Sequence, residues 1–258
     1  MTKPVEIPAE TRQKRSDEVM TALKDWITHH SLRPGDRLPQ EKTLLEQFHA
    51  SKGTVREALK GLETQGLVVT RTGPGGGAFV ADVPSDHAMS LLANYFYFKD
   101  ISIHDIYQLR VHLEPEMAAS VVGRLTEEDF QRLQTTMTIY HAPPTTQEEE
   151  HRFRLAELSF HEVLVSLCPN PLLSFTCHFL LGLLKNLRLC HDIYDLPNPA
   201  LWETGKRYQM QLLEALKRED EPEVRTLMRE HMLRAEALME AQETIVLDRF
   251  LPAGKTKP

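Results

Sequence analysis

Two stretches of this sequence hold residues that could do chemistry, and a third holds glycines that could cradle a phosphate. In "ELSFHEVLV", Glu157 and His161 stand one helical turn apart. Donors at i and i+4 share a helix face and can grip one ion. His161 and the residue after it also resemble the start of a zinc-protease helix, but Val165 stands where the second histidine must be, so that chemistry is excluded. In "LRVHLEPEMAA", Arg110 and Glu114 have the same spacing. It makes an ion pair along one helix, or presents a guanidinium fork to a carboxylate. The third stretch is Gly73-Pro74-Gly75-Gly76-Gly77. A phosphate loop needs Lys-Ser or Lys-Thr opening a helix after its glycines; here Ala78-Phe79-Val80 follow, which prefer a strand.

These residues must be held by two kinds of element. Ser16 to His30 place Val19, Leu23, Trp26 and Ile27 on one helical face, with Ser16 as the expected N-cap. "SLRPGDRLP" ends that helix, a short one follows near 40–48, and Ser51 caps a third whose Val55, Leu59 and Leu62 face inward. "LVVTR" and "GAFVADV" flank the glycines as the strands of a hairpin. From Asp86 the β signal disappears, and helices are expected near 86–98, 103–123, 126–140, 147–167, 171–193, 200–218 and 220–243. "TEED" is a capping signature, and "HAPPTT", "PNP" and "REDEPE" are breaks. The expected fold is mostly α: a winged helix-turn-helix of three helices and a β-hairpin over 10–82, then an all-helical bundle of six or seven helices over 83–245, with 246–258 a disordered tail.

Charge divides along the same line. Through Pro84 there are 12 Lys and Arg against 11 Asp and Glu, and beyond it 18 against 26, so the net charge of −7 lies almost wholly in the second part. An acidic chain does not coat nucleic acid indiscriminately; the nearly neutral first part, with clustered bases, points to a separate partner for each module. Cys168, Cys177 and Cys190 form no CxxC pair and read as buried reduced thiols. No apolar run is long enough to cross a membrane, and the polar start lacks a secretory stretch, so a cytoplasmic protein is expected.

The stretch "LRPGDRLPQEKTLLEQFHASKGTVREALKGLETQGLVVTRTGPGGGAFV" resembles the DNA-binding domain of GntR-type bacterial transcription regulators. The resemblance implies that the third helix enters the major groove while the glycine-rich wing approaches phosphates or the minor groove. It also implies DNA contacts from Arg37, Lys42, Ser51, Lys52, Thr54, Arg56, Arg71 and Gly73. Lysine at 42 and 52, where arginine is common, cannot make the bidentate fork on guanine, so operator preference departs from that of relatives. For Arg56 the alternative is a surface salt bridge.

The helical half resembles the FCD domain of the FadR-like branch through "LRVHLEPEMAA", "ELSFHEVLVSLCPNPLL" and "QLLEALKREDEPEVRTLMREHM". That resemblance implies one divalent metal, zinc or nickel, held by Glu157, His161 and His231, with Gln209 at the position where relatives have histidine. A neutral amide is a weak ligand, so affinity falls unless His178 or His191 swings in. It also implies a small carboxylate effector received by Arg110, with Glu114, His178 and Arg188 as further effector-site candidates.

The function expected is a ligand-responsive repressor, not an enzyme: a homodimer on a pseudo-palindromic double-stranded operator, with no membrane partner. The alternative from another class is a metal-dependent enzyme using Glu157, His161 and His231. No nucleophile, general-base pairing or second acidic cluster accompanies those residues. A third possibility is a helical half that serves dimerisation alone.

Overall fold

The computed structural model describes residues 9–82 and 84–250, in two compact units that divide between Ser90 and Leu91. The first unit holds α1 (Ala9–His29), α2 (Glu41–Gln47), α3 (Lys52–Thr64), β1 (Val68–Arg71) and β2 (Gly77–Val80). Ser16 is not the N-cap of α1: it lies buried inside a helix that begins at Ala9, because "AETRQKR" carries helix-forming residues upstream of it. Ser51 does cap α3, its Oγ accepting from the Thr54 amide at 3.2 Å. Val19, Leu23, Leu44, Val55, Ala58 and Leu62 form the core beneath the hairpin. His49, at φ 45°, makes the turn between α2 and α3.

β1 and β2 pair antiparallel from Val68–Val80 to Arg71–Gly77. Between them Gly73 and Gly75 adopt φ of 91° and 80°, which side chains rarely tolerate, and the Gly76 amide donates to the Gly73 carbonyl at 2.8 Å. A third segment braces the hairpin, with Leu38 donating to Ala78 and Val80 to Asp36.

The helical region comprises α4 (Ser85–Tyr97), α5 (Ile103–Ser120), α6 (Glu127–Thr136), a 3₁₀ turn (Met137–His141), α7 (Gln147–Leu167), α8 (Pro171–Asn186), α9 (Arg188–Tyr194), α10 (Pro199–Lys217) and α11 (Glu221–Phe250). Reciprocal capping boxes start three of them, Ser102 with Asp105, Thr126 with Asp129 and Thr146 with Glu149. Prolines open α8 and α10. α11 packs on both α5 and α10, and α7 contacts α5, α6, α8, α9 and α10.

Two expectations are corrected. The stretch 171–193 is two helices, broken where Leu187 turns extended at ψ 133°. The apolar phase explains the break: Cys177, Leu180, Leu181 and Leu184 are buried on one face, and continuing that face would bury Arg188 and His191. The break re-phases the chain so that Cys190, Ile193 and Tyr194 enter the core. The last helix does not stop at 243 but runs to Phe250, where Val246 is buried and Gln242 donates to the Leu196 carbonyl at 3.0 Å. Residues 251–258 of the expected disordered tail lie outside the described residues. Among the described residues, no helix is long and apolar enough to cross a membrane.

Candidate nucleic-acid interface and buried effector site

In the first unit the bases stand along α2, α3 and the wing. Lys42, Lys52 and Arg56 are exposed, yet Lys52 and Arg56 both face Glu41, at 3.8 and 3.2 Å. So exposed a pair contributes little stability and leaves both cations free to exchange partners. Ser51 and Thr54 are engaged with each other: their hydroxyls lie 2.8 Å apart, and Thr54 is buried. Arg71 lies over the Phe79 ring at 4.6 Å. Arg37 reaches across the hairpin, where its Nη2 donates to the Gly76 carbonyl at 2.5 Å. A Cβ at position 77 would meet the Arg37 guanidinium at 3.1 Å, so Gly77 makes that crossing open.

The helical region buries an unusual set of charges in its core. Arg110 on α5 is 1% exposed and its Nε donates to Glu114 at 2.5 Å, with the Tyr107 ring 4.7 Å from the guanidinium. The other Glu114 oxygen lies 2.5 Å from His161 Nδ1 on α7. Burial alone would raise the Glu114 carboxyl, but Arg110 and His161 together hold it down to about 2. Glu114 thereby fixes the imidazole with Nδ1 as donor and turns Nε2 toward α11. There it meets His231 Nε2 at 3.3 Å, with the rings stacked. Burial first, then His161 and Arg110, hold His231 well below the usual histidine range, so it is neutral at pH 7. Glu157 Oε1 is 4.0 Å from His231 Nε2, and burial raises its carboxyl.

Part of this donor set has the spacing of ligands to a divalent ion, but among the described residues only His104, Glu236 and Glu240 bring three such donor atoms within 4.8 Å of one another. Two ligands on a tetrahedral zinc, each bonded at 2.0–2.1 Å, stand about 3.3 Å apart, which matches the spacing of the two Nε2 atoms. Gln209 on α10 donates its amide to the Glu157 backbone carbonyl at 3.3 Å, which leaves its buried Oε1 without a partner. Gly205, also on α10, clears the space: a Cβ there would lie 2.7 Å from Glu157 Oε1 and 2.9 Å from Tyr140 Oη.

Arg154, one turn before Glu157 on α7, was missed by the sequence reading. It is 1% exposed; its Nη2 donates to Glu150 Oε1 at 2.7 Å, and its Nη1 stands 3.8 Å from Glu157 Oε2. The i, i+4 and i, i+3 spacing of Glu150, Arg154 and Glu157 was the available signal, and it looks the same as a solvated charge run. A cavity of about 10 Å³, the room of one water, lies among Arg110, Arg154, Glu157, His161, Tyr194 and His231. Arg110 Nη2, Arg154 Nε and Nη1, and His231 Nδ1 around it have no hydrogen-bond partner among the described residues.

Two effector candidates do not reach this cavity. Arg188 is exposed at the start of α9 and His178 is half-buried on α8, and neither lines it. His191 stacks on His151 instead, at 5.3 Å. The helical phase places all three off the face that carries the cavity. A separate cluster, His104 with Glu236 and Glu240, lies at the surface between α5 and α11, at 3.1 and 3.0 Å. Cys177 and Cys190 are buried free thiols, pushed up to about 12 by burial; Cys168 is only partly buried.

Comparison with known proteins agrees with both halves. The family described as bacterial regulatory proteins, gntR family, matches residues 15–80, and the FCD domain matches residues 105–234. The chain is 24% identical over 222 residues to an HTH-type transcriptional regulator, YcbG, of Bacillus subtilis, covering 86% of this chain and 88% of that one. It is 28% identical over 164 residues to the HTH-type transcriptional repressor NanR of Cronobacter sakazakii, covering 62% of this chain and 61% of NanR. Among solved structures, Streptococcus agalactiae GntR has the same fold, with a TM-score of 0.55, 18% identity and coverage of 86% of this chain and 99% of that one.

Proposed function

The chain belongs to the GntR family of bacterial regulatory proteins, with an FCD domain after its DNA-binding domain, and from that premise we propose a homodimeric cytoplasmic repressor released from a pseudo-palindromic operator by a small organic acid. The observation that carries the effector site is the set of unpartnered polar atoms around one cavity. A buried donor left unsatisfied costs about 1–3 kcal/mol, and more when charged. A bundle that served dimerisation alone would have no reason to keep two guanidinium groups there. Their donors suit an oxyanion, and Arg110 is the first receiver of its carboxylate.

When bound, a divalent cation would supply positive charge to an effector oxygen; Glu157, His161 and His231 would hold it, with the Gln209 oxygen as a weak neutral donor. Glu114 keeps the His161 ring in the required tautomer. On the DNA side, Lys42, Lys52, Arg56 and Arg71 serve phosphates and base edges, while the backbone at Ser51 and Gly73 approaches phosphate and Thr54, whose amide donates to Ser51 Oγ, holds that turn in shape.

The test is retention of a DNA fragment from the gene's own upstream region by the purified full-length protein, with a panel of organic acids added. Salt-sensitive binding to that fragment, relieved by at least one acid, is the expected result. Failure to bind it, together with turnover of an organic acid, would give the enzyme reading its place.

A further inference from the structure

We propose that His104, Glu236 and Glu240 form a separate cation site on the surface of the helical unit, which takes one divalent transition-metal ion and ties the first turn of α5 to α11. The site shares no residue with the buried cavity and does not depend on what that cavity binds.

His104 Nδ1 stands 3.1 Å from Glu236 Oε1 and 3.0 Å from Glu240 Oε1, and the three atoms all lie within 4.8 Å of one another. A hydrogen bond accounts for one of these contacts only, because Nδ1 carries at most one hydrogen and cannot direct it at two oxygens. The other carboxylate then approaches with no proton to meet it. A metal removes that conflict. Nitrogen and oxygen donors bonded at about 2.0–2.2 Å, at tetrahedral or octahedral angles, stand roughly 2.9–3.4 Å apart, and both measured separations fall in that range.

The charges around the imidazole point the same way. Glu236 and Glu240 are a like-charged i, i+4 pair on α11, an arrangement that destabilises a helix, and among the described residues no lysine or arginine comes within ion-pair distance of either. The Glu236 side chain is 15% exposed, so its charge is largely withdrawn from water with a single imidazole facing it. The turn that carries His104 is fixed on both sides: Ser102 and Asp105 form the capping box of α5, and the Ile103 amide donates to Glu243 Oε1 at 3.3 Å. Donors held in place beforehand need little rearrangement to bind an ion. The His104 side chain is 60% exposed and that of Glu240 42%, which leaves the outer side open to the ion and its remaining waters. One imidazole nitrogen with two carboxylate oxygens favours zinc, nickel or cobalt over magnesium and calcium, which take oxygen donors. A patch of acidic groups would hold all of these by charge and would not discriminate.

Equilibrium dialysis of the full-length protein against zinc in excess magnesium, with bound metal counted by elemental analysis, tests the site. The unaltered protein should hold one zinc ion per chain more than His104→Gln, and one more than the double variant Glu236→Gln, Glu240→Gln, whatever the buried histidines hold in all three. Zinc should also raise the melting temperature of the unaltered protein more than that of either variant, because the ion binds between two helices of the folded chain and finds no such site in the unfolded one. Melting in EDTA confirms that each variant folds; should the double variant not, His104→Gln and Glu240→Gln decide. Equal zinc content in the unaltered protein and His104→Gln, or zinc displaced by magnesium, overturns the proposal and leaves His104 as a hydrogen-bonding partner of the two carboxylates. Zinc lost from His104→Gln but kept by the carboxylate variants overturns it too, since the glutamates would then not be ligands.

Discussion

Removing the Glu114 carboxylate would deprive both Arg110 and His161 of the anion each is bonded to, at 0% exposure. Breaking a buried pair from one side costs about 3–5 kcal/mol, because the remaining charge stays desolvated, so Glu114→Gln is expected to lower stability by that order at pH 7. The pH dependence has a definite sign. The Glu114 carboxyl falls from 4.5 to about 2 on folding, so its contribution is complete above the unfolded value and is lost as pH falls through the window between them. Denaturant titrations at pH 7 and at pH 3 should show the gap between the unaltered protein and Glu114→Gln narrowing in acid; a gap independent of pH would refute the account. The sequence made the Arg110–Glu114 and Glu157–His161 pairs visible because each lies within one helical turn. It did not reveal the bond from Glu114 to His161, since contact between α5 and α7 leaves no trace in local periodicity. Arg154 was hidden for a related reason: burial of a charged turn depends on what packs over it.

At the scale of elements, the hairpin and its brace were the most legible part of the fold, because glycine spacing, strand propensity and the Ser51 cap all act locally. The α8–α9 break was legible in principle, through the shift in apolar phase, but no proline or glycine marks it. Arg37 shows how an element changes the role expected of a residue. Its guanidinium bonds the Gly76 carbonyl and so shapes the wing tip, whereas Lys52 stands exposed in the first turn of α3. The two should separate in salt titrations of operator binding. Losing a phosphate contact lowers the salt slope by about 0.9 per contact, so Lys52→Ala should flatten it by that amount. Arg37→Met should weaken binding while changing the slope much less, since it disturbs the wing's shape instead of removing a counterion-releasing contact. Equal flattening in both variants would make Arg37 a direct phosphate contact and remove the bracing role.

For the whole molecule, an effector held in the helical unit can act on DNA only through a difference in its affinity for the two functional states. That difference is reciprocal: whatever factor the acid imposes on operator binding, the operator imposes on binding of the acid. The same acid must also stabilise the fold, by about 2.7 kcal/mol at a hundredfold excess over its dissociation constant. The expansion required by a 10 Å³ cavity supplies a physical source for the coupling, since the side chains walling it come from α5, α7, α9, α10 and α11. Titrating the acid into free protein and into protein saturated with operator should therefore give two dissociation constants whose ratio equals the ratio of operator affinities without and with acid. If the acid weakens operator binding while its own affinity is indifferent to DNA, it acts by competing at the DNA-binding surface or by another route, and the buried cavity is not the sensor.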